Sequence, residues 1–214
     1  MPDYLDIESW KRRDQFYFFK EYDHPFFNIC ANVDVSRLHR FVKDQNTSFF
    51  KASLFLSLKS TNNVEPFRYR LKNDEVVIYE TIHAGSTVLN DDETFSFCYF
   101  DYFESYRQFE QNAANVLIAH RQKATKLHPQ EDRDDLIHYS MIPWISFSSF
   151  AHARRFHTQD SIPKMVFGKF HEMNGKLKMP VSVEVHHALM DGIHVAKFFD
   201  NFQKLLNDPE NSLV

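Results

Sequence analysis

The feature that most constrains the fold lies near the C-terminus, where the hydrophobic period changes from two to about 3.6 within a short stretch. Val181, Val183 and Val185 alternate with polar residues, which predicts a strand with one apolar face. Beyond a turn, apolar side chains recur at helical spacing, at Val195, Phe198, Phe199, Phe202, Leu205 and Leu206. The sequence therefore predicts a strand that leads through a tight turn into an amphipathic helix.

The turn between these two elements contains two histidines and an Asp-Gly pair. Strand alternation places His187 on the valine face and His186 on the opposite face. Asp191 is suited to the N-cap of the following helix, and Gly192 to the backbone angles of a tight turn. Because an imidazole has an unperturbed pKa of about 6.5, it can take up and return a proton near neutral pH. The turn is therefore a candidate catalytic site.

A metal site built from His186, His187, Asp191 and His194 is the weaker interpretation of the same turn. Side chains on opposite faces of a strand cannot both reach one ion without distortion, and the His-Glu-x-x-His pattern of a zinc site is absent. We therefore expect no bound metal.

Several motifs resemble one family of enzymes. The segment from His186 to Gly192, His-His-Ala-Leu-Met-Asp-Gly, is similar to the His-His-x-x-x-Asp-Gly signature of the CoA-dependent acyltransferases. Trp10-Lys-Arg-Arg-Asp-Gln-Phe16 resembles the opening helix of the chloramphenicol acetyltransferases, and Ser140-Met-Ile-Pro-Trp144 resembles their Ser-x-x-Pro-Trp segment. The chain is similar to this family over nearly its whole length.

The resemblance implies roles for four residues. His187 would be the general base for an acceptor hydroxyl, and Ser140 would donate a hydrogen bond to the oxyanion that forms. Arg12 would pair with Asp191 and hold the turn, so Asp191 would be structural and not a member of a catalytic triad. The backbone carbonyl of His187 itself would fix the tautomer of the ring. No motif for a covalent acyl-enzyme is present, which favours direct transfer in a ternary complex.

The resemblance also implies where ligands bind. Acetyl-CoA would be a co-substrate, with no permanently bound cofactor, and would contact Trp144, Lys169 and Phe170. The acceptor pocket would comprise Phe18, Phe19, Pro25, Phe27, His128, His152, Lys164 and Val166. Pro25, His128, His152 and Lys164 replace family residues that are mostly apolar, and Val166 replaces a usual threonine. We therefore expect a pocket more polar than one shaped for chloramphenicol.

Charge and cysteine content limit the partners and the compartment. A net charge of -4 argues against nucleic-acid binding. No apolar run approaches the roughly 20 residues that span a bilayer, and no secretion signal opens the chain. Two cysteines favour a reducing compartment, so we expect a cytoplasmic protein. The family resemblance implies a homotrimer with active sites between subunits.

The order of the elements predicts the fold class. Strands are expected at 26–33, 76–79, 81–89, 95–100, 139–147, 164–171 and 176–187, with the last two joined by an Asn174-Gly175 hairpin turn. Helices are expected from a Ser9 cap through Phe19, from an Asp34 cap through Val42, at 49–58, at 104–121 and after Asp191. With four glycines and no linker, residues 1–214 are predicted to form one domain of the α/β class (an α+β two-layer sandwich), a mixed sheet with helices packed on it.

The expected function is transfer of an acetyl group from acetyl-CoA to a hydroxyl of a small acceptor, with chloramphenicol, an antibiotic, as the first acceptor to test. Two alternatives stay open. The chain could acylate a different small hydroxyl or amine compound, or it could be a small-molecule binding protein that kept the fold and lost turnover. A dihydrolipoyl acyltransferase fits less well, because no lipoyl segment precedes the domain.

Overall fold

The structure, a computed structural model, describes residues 3–122, 127, 129, 130, 132–154 and 160–213. Its strands are β1 (Asp3–Tyr4), β2 (Phe26–Asp34), β3 (Tyr69–Lys72), β4 (Glu75–Ile78), β5 (His83–Leu89), β6 (Phe95–Phe100), β7 (Leu136–Ile142), β8 (Lys164–Gly168), β9 (His171–Met173) and β10 (Lys176–His186). Its helices are α1 (Arg13–Lys20), α2 (Ser36–Asp44), α3 (Phe49–Asn62), α4 (Tyr106–Gln122), α5 (Gly192–Asn207) and α6 (Pro209–Ser212), and a short 3-10 helix spans Glu65–Arg68.

The main sheet has the strand order β2-β10-β8-β7-β5-β6, with β9 paired to β10. Strand β7 runs parallel to both β5 and β8, whereas the other pairs are antiparallel. The mixed sheet with helices packed on it, which the sequence predicts, is confirmed. The predicted hairpin turn is present too, since Asn174 and Gly175 have φ angles of 54° and 72°, as a type I′ turn requires.

One face of the main sheet is covered by helices and forms the core. Val181, Val183 and Val185 of β10 are fully buried there, in one cluster with Phe198 and Phe202 of α5. The opposite face of β10 carries Ser182, Glu184 and His186 instead. The alternation along β10 therefore places polar side chains on the face of the sheet opposite the core, and this face borders the site described below.

A second, three-stranded sheet of order β1-β4-β3 lies beside the opening helix. Its residues Tyr69 and Val76 share a buried cluster with Phe16 of α1 and with Ala188 and Leu189, which follow β10. Apolar burial therefore fixes the opening of the chain against the turn that precedes α5.

Several predicted boundaries differ from the structure. Helix α1 begins at Arg13, and Ser9 lies in a preceding turn and does not cap it. Helix α2 has Val35 at its N-cap, although the Asp34 carboxylate accepts a hydrogen bond from the backbone N–H of Ser36 at 3.0 Å. Strand β7 ends at Ile142, because Pro143 cannot donate to a strand neighbour. Strands β1, β3 and β9 are too short to produce a readable alternation.

Candidate functional site

The turn after β10 is anchored to the start of β2. The backbone N–H of His187 donates to the carbonyl oxygen of Pro25 at 2.7 Å. The two histidines point to opposite faces, as alternation predicts, because the His187 ring contacts Phe27 and the His186 ring contacts Phe26. The two imidazole rings of this turn therefore lie in different environments.

Arg12 joins the opening segment to this turn. Its Nε and Nη2 donate to Oδ2 and Oδ1 of Asp191 at 2.9 and 2.7 Å, in the bidentate arrangement that the family resemblance implies. Nη2 also donates to the His187 carbonyl at 3.1 Å, and Nη1 to the Ala188 carbonyl at 3.4 Å. Burial lowers the pKa of Arg12, and the Asp191 carboxylate opposes that effect. One guanidinium thus fixes both the carboxylate and the backbone of the turn.

Two phenylalanines hold the His187 ring. Phe19 stacks on it with the ring centroids 3.8 Å apart and the planes 5° apart, and Phe27 lies at 4.6 Å. Nδ1 is buried 3.2 Å from Oδ1 of Asp191, without the angle of a hydrogen bond, and has no other partner among the described residues. The predicted bond from Nδ1 to the His187 carbonyl is therefore not seen. The side chain as a whole is 32% exposed, which leaves one edge of the ring accessible.

His194 fixes the backbone of Asp191 and is a site residue that the sequence analysis named only as a metal ligand. Its Nδ1 accepts a hydrogen bond from the backbone N–H of Asp191 at 2.9 Å. Asp191 occupies the N-cap of α5 as expected, and its carboxylate is held by Arg12. The available signal was the position of His194, three residues after the N-cap, where a side chain can bond back to the cap.

Ser140 lies on β7, on the face of the sheet opposite the helices. Thr87 of β5 donates from Oγ1 to the Ser140 Oγ at 3.4 Å. Both side chains line a cavity of about 810 Å³, together with His138, His152 and Lys164. This cavity is large enough for a small organic acceptor.

The structure divides the predicted acceptor residues into two groups. Phe19, Pro25 and Phe27 contact His187, and the exposed Phe18 packs on Phe19. His152 and Lys164 instead line the cavity that contains Ser140, while Val166, paired with Ser140 across the strands, is fully buried. His128 lies outside the described residues. The described lining of the cavity does not include His187.

A largely buried ionic cluster contributes to the lining of this cavity, and the sequence analysis did not identify it as part of the site. Arg154 donates from Nε to Glu184 at 2.6 Å and from Nη1 to Asp160 at 2.8 Å, and its guanidinium lies 3.4 Å from the centre of the Phe26 ring. Glu184 belongs to the polar face of β10, so the strand alternation gave a signal for it. Arg154 lies outside regular structure, where no periodicity could reveal it.

The histidines of the cavity are held in the neutral form. Burial lowers the pKa of His138 to about 4 and that of His152 to about 4. Nε2 of His152 is buried and has no hydrogen-bond partner among the described residues. At neutral pH these rings therefore contribute polar groups and no positive charge.

The residues expected to contact acetyl-CoA lie near one another. Trp144 is 63% exposed, and the backbone N–H of Lys169 donates to the carbonyl of the adjacent Ile145 at 2.9 Å. Phe170 packs against His39 and Phe49. Trp144 and Lys169 are therefore available to a ligand at the surface, whereas Phe170 is partly enclosed by its neighbours.

Among the described residues, no three or more His, Cys, Asp and Glu side chains come close enough to hold a metal ion. None of the described helices is both long enough and apolar enough to cross a bilayer.

Comparison with known proteins gives consistent matches. The family model described as chloramphenicol acetyltransferase matches residues 3–203. Chloramphenicol acetyltransferase 3 of Escherichia coli is 29% identical over 205 residues, 95% of this chain and 96% of that protein. The chloramphenicol acetyltransferase of Bacillus pumilus is 26% identical over 201 residues, 93% of this chain and 91% of that protein.

Solved structures support the same fold. A chloramphenicol acetyltransferase superposes with a TM-score of 0.90 at 27% identity, over 96% of this chain and 100% of the other. A dihydrolipoamide acetyltransferase of Azotobacter vinelandii has a TM-score of 0.72 at 17% identity, over 94% and 88% of the two chains, which shows a shared fold.

Proposed function

Because the chain belongs to the chloramphenicol acetyltransferase family, we propose that it transfers the acetyl group of acetyl-CoA to a hydroxyl of a small acceptor, chloramphenicol being the first candidate. The observation that carries this proposal is the His187 ring, clamped by Phe19 and held on a turn that Arg12 and Asp191 fix. Rigid support of this kind is what a general base requires.

In the proposed reaction, His187 takes the proton of the acceptor hydroxyl. Because Nδ1 is enclosed, the nitrogen that acts is Nε2. The hydroxyl oxygen attacks the thioester carbonyl carbon and forms a tetrahedral intermediate. As this collapses, the carbon–sulfur bond breaks, and the imidazolium returns the proton to the leaving thiolate. The products are the acetyl ester and CoA thiol, and no acyl-enzyme forms.

Ser140 would stabilise the oxyanion of the tetrahedral intermediate. Its hydroxyl receives a hydrogen bond from Thr87, so its own proton remains available for the oxyanion. In this arrangement the Thr87 hydroxyl orients the Ser140 hydroxyl. Val166, which pairs with Ser140 on the neighbouring strand, has no hydroxyl and cannot give this support.

We also propose that the active site is completed between subunits of a homotrimer. Ser140 and the cavity lie on one part of the chain, while His187 and its phenylalanines form a separate group. An acceptor in the cavity of one subunit would then meet His187 of the next. Dissociation of the trimer would abolish turnover.

Three further assignments rest on the same family membership. Acetyl-CoA would contact the exposed Trp144 and Lys169 and the neighbouring Phe170. Residues 1–214 would form one catalytic domain, which the match over 3–203 supports. The free thiols of Cys30 and Cys98 support a reducing, cytoplasmic location, where the enzyme would confer resistance to the antibiotic.

The test is release of CoA thiol from acetyl-CoA, measured with chloramphenicol and with a panel of small alcohols and amines. We expect acceptor-dependent release by the native chain, near-complete loss in His187→Ala, and a loss in turnover of roughly 10²- to 10³-fold in Ser140→Ala. Ser86→Ala, on the adjacent strand and fully buried, is the matched control. Saturable binding without thiol release would favour the alternative of a binding protein.

A further inference from the structure

A row of four residues, three of them polar, crosses the sheet beside Ser140. Strand pairing places Gly85, His138, Lys164 and Glu184 opposite one another in turn across β5, β7, β8 and β10. His138 precedes Ser140 by two residues on the same strand and face. At about 3.3 Å per residue, the row therefore lies about 7 Å from the serine. It lies within reach of a small acceptor whose hydroxyl is at Ser140.

Most charged groups that line this cavity already have a counter-ion. Arg154 is bound by Glu184 and Asp160, as described above. Arg133 pairs with Asp135 at 2.9 Å. These pairs satisfy the rule that charges removed from water are neutralised by a partner.

The carboxylate of Asp134 is also occupied. It accepts hydrogen bonds from the Tyr79 hydroxyl and from Nζ of Lys72, the latter at 3.4 Å. The carboxylate of Asp160 binds the backbone N–H of Ile162 as well as Arg154. Neither of these acids is free to neutralise a further cation at close range.

Lys164 differs from the other charged groups of the lining. Its Nζ donates to the backbone carbonyl of Ala153 at 2.8 Å, and no carboxylate of the described residues lies within 4 Å of it. Burial lowers the pKa of this ammonium and nearby Arg154 lowers it further, while the carboxylates of Asp160 and Glu184, beyond contact distance, partly oppose the effect. An ammonium has three donors, so two remain after the bond to Ala153. Lys164 is therefore a partly buried cation whose counter-ion is not supplied at contact distance.

We propose that this counter-ion comes from the acceptor, and that the preferred acceptor is a small hydroxy acid whose carboxylate binds Lys164 while its hydroxyl lies at Ser140. The inference rests on the proposed acetyl transfer and names its substrate class. The products are the acetyl ester of the acid and CoA thiol. The rings of His138 and His152, which line the same cavity, would offer hydrogen bonds to that carboxylate. An apolar aromatic acceptor would leave Lys164 desolvated and unpaired, which disfavours it.

Two probes of matched shape test the proposal: 4-(hydroxymethyl)benzoate and its amide, 4-(hydroxymethyl)benzamide. Their binding to the full chain is measured by calorimetry without acetyl-CoA, and thiol release is then measured with each. We expect the acid to bind at least roughly tenfold more tightly than the amide, since a charge-assisted bond is stronger than a neutral one. The same preference is expected in kcat/KM.

Variants of the lysine separate charge from packing. Lys164→Met should abolish the preference for the acid and raise kcat/KM for chloramphenicol, and Lys164→Arg should keep the preference. Lys176→Met, which changes a lysine of the β9–β10 hairpin, should behave as the native chain.

Equal affinity for acid and amide in the native chain, or an unchanged preference in Lys164→Met with a native melting curve, would overturn the assignment. The proposed acetyl transfer fails by a different result, namely no thiol release with any alcohol. Because the binding measurement does not depend on turnover, the two failures are distinguishable.

Discussion

Arg12 and Asp191 lie 179 positions apart in the chain and are joined by two hydrogen bonds, of 2.9 and 2.7 Å. The same guanidinium donates to the backbone carbonyl of His187. The buried packing of Phe16 with Ala188 and Leu189 lies close by, so apolar contacts and ionic bonds act on one junction. The position of the His187 ring therefore depends on a residue near the other end of the chain.

Replacing Arg12 by lysine should expose this dependence. An ammonium keeps the charge but cannot form two parallel bonds to Asp191 and also reach the His187 carbonyl. We expect kcat to fall by roughly 10- to 100-fold, because small displacements of a reacting group are costly. The KM for acetyl-CoA should change little, as should the oligomeric state. Steady-state thiol release and size-exclusion chromatography provide the measurements.

Arg13 gives the matched control for this variant. It pairs with Glu8 at 2.9 Å, and its side chain is 49% exposed, so an exchange for lysine should leave activity unchanged. Equal losses in Arg12→Lys and Arg13→Lys would mean that the ionic bond to Asp191 does not position the base.

The sequence could predict the strand, the turn and the helix around His187 because each has a local signal. Alternation of valines defines β10, and the 3.6-residue period defines α5. The Arg12–Asp191 pair has no local signal, since its two members are joined only by the fold. The resemblance to a family predicts this pair, and the structure contains the contact.

The bond from Asp191 to His194 suggests a second prediction. Nδ1 of His194 accepts a hydrogen bond from the backbone N–H of Asp191. It can do so only while Nδ1 itself carries no proton. His194→Ala removes the acceptor and should lower the free energy of unfolding by about 1 kcal/mol, the usual cost of a lost helix cap. His194→Gln keeps an acceptor at the capping-box position and should retain most of the stability and the activity.

The pH dependence of these variants gives a sharper measurement. Burial lowers the pKa of His194 below its usual 6.5, and Arg12 adds to the effect. The cap is therefore present above that lowered pKa and is lost as the pH falls through it. The glutamine variant has no such titration, so its kcat should decline less than that of the native chain as the pH is lowered from 6.5. Parallel profiles for the two proteins would contradict this role.

The polar cavity shows where sequence analysis stops. Lys164 and His152 were named through resemblance, but their neighbours Arg154 and Asp160 were not, because they lie in irregular segments without periodicity. The pairing state of each charge depends on contacts across the fold. Only the structure shows that Lys164 lacks a close counter-ion among its described neighbours.

Three buried neutral histidines should make the fold sensitive to acid. Burial lowers the pKa of His138, His152 and His186 to about 4 in each case. As the pH falls from about 6.5 to 4, the unfolded chain binds protons that the folded chain does not. The free energy of unfolding should therefore fall through this window, by up to about 3 kcal/mol each for His138 and His186 and by less for the more exposed His152.

Denaturant unfolding at pH 7 and pH 5 measures this effect. His186→Gln removes one titrating group, so the loss of stability between these pH values should be smaller than in the native chain by about 1.4 kcal/mol for each pH unit of the window. If the free energy of unfolding of His186→Gln falls with pH as steeply as that of the native chain, His186 is not a source of this acid sensitivity.

Gly168, at the end of β8, should tolerate no side chain. A Cβ placed there would lie 2.7 Å from Cγ of Pro180 and 2.8 Å from Cε1 of Phe147. Phe147 packs on Phe150, which in turn packs on His152 of the cavity lining, so a displaced Phe147 ring should disturb that lining. We expect Gly168→Ala to cost about 1–3 kcal/mol, as overpacking does, and to weaken acceptor binding as well.

Gly192 of the signature turn provides the contrast to Gly168. A Cβ at Gly192 would meet only Cδ1 of Ile29, at 3.9 Å, and its φ lies outside the left-handed region. Since Gly192 is the first residue of α5, alanine suits its backbone. Thermal melts should show Gly168→Ala lowered by roughly 2–4 °C for each kcal/mol lost, and Gly192→Ala at or above the native midpoint. A higher melting midpoint for Gly168→Ala than for Gly192→Ala would contradict this prediction. Contacts outside the single chain, and not packing around β8, would then decide where glycine is required.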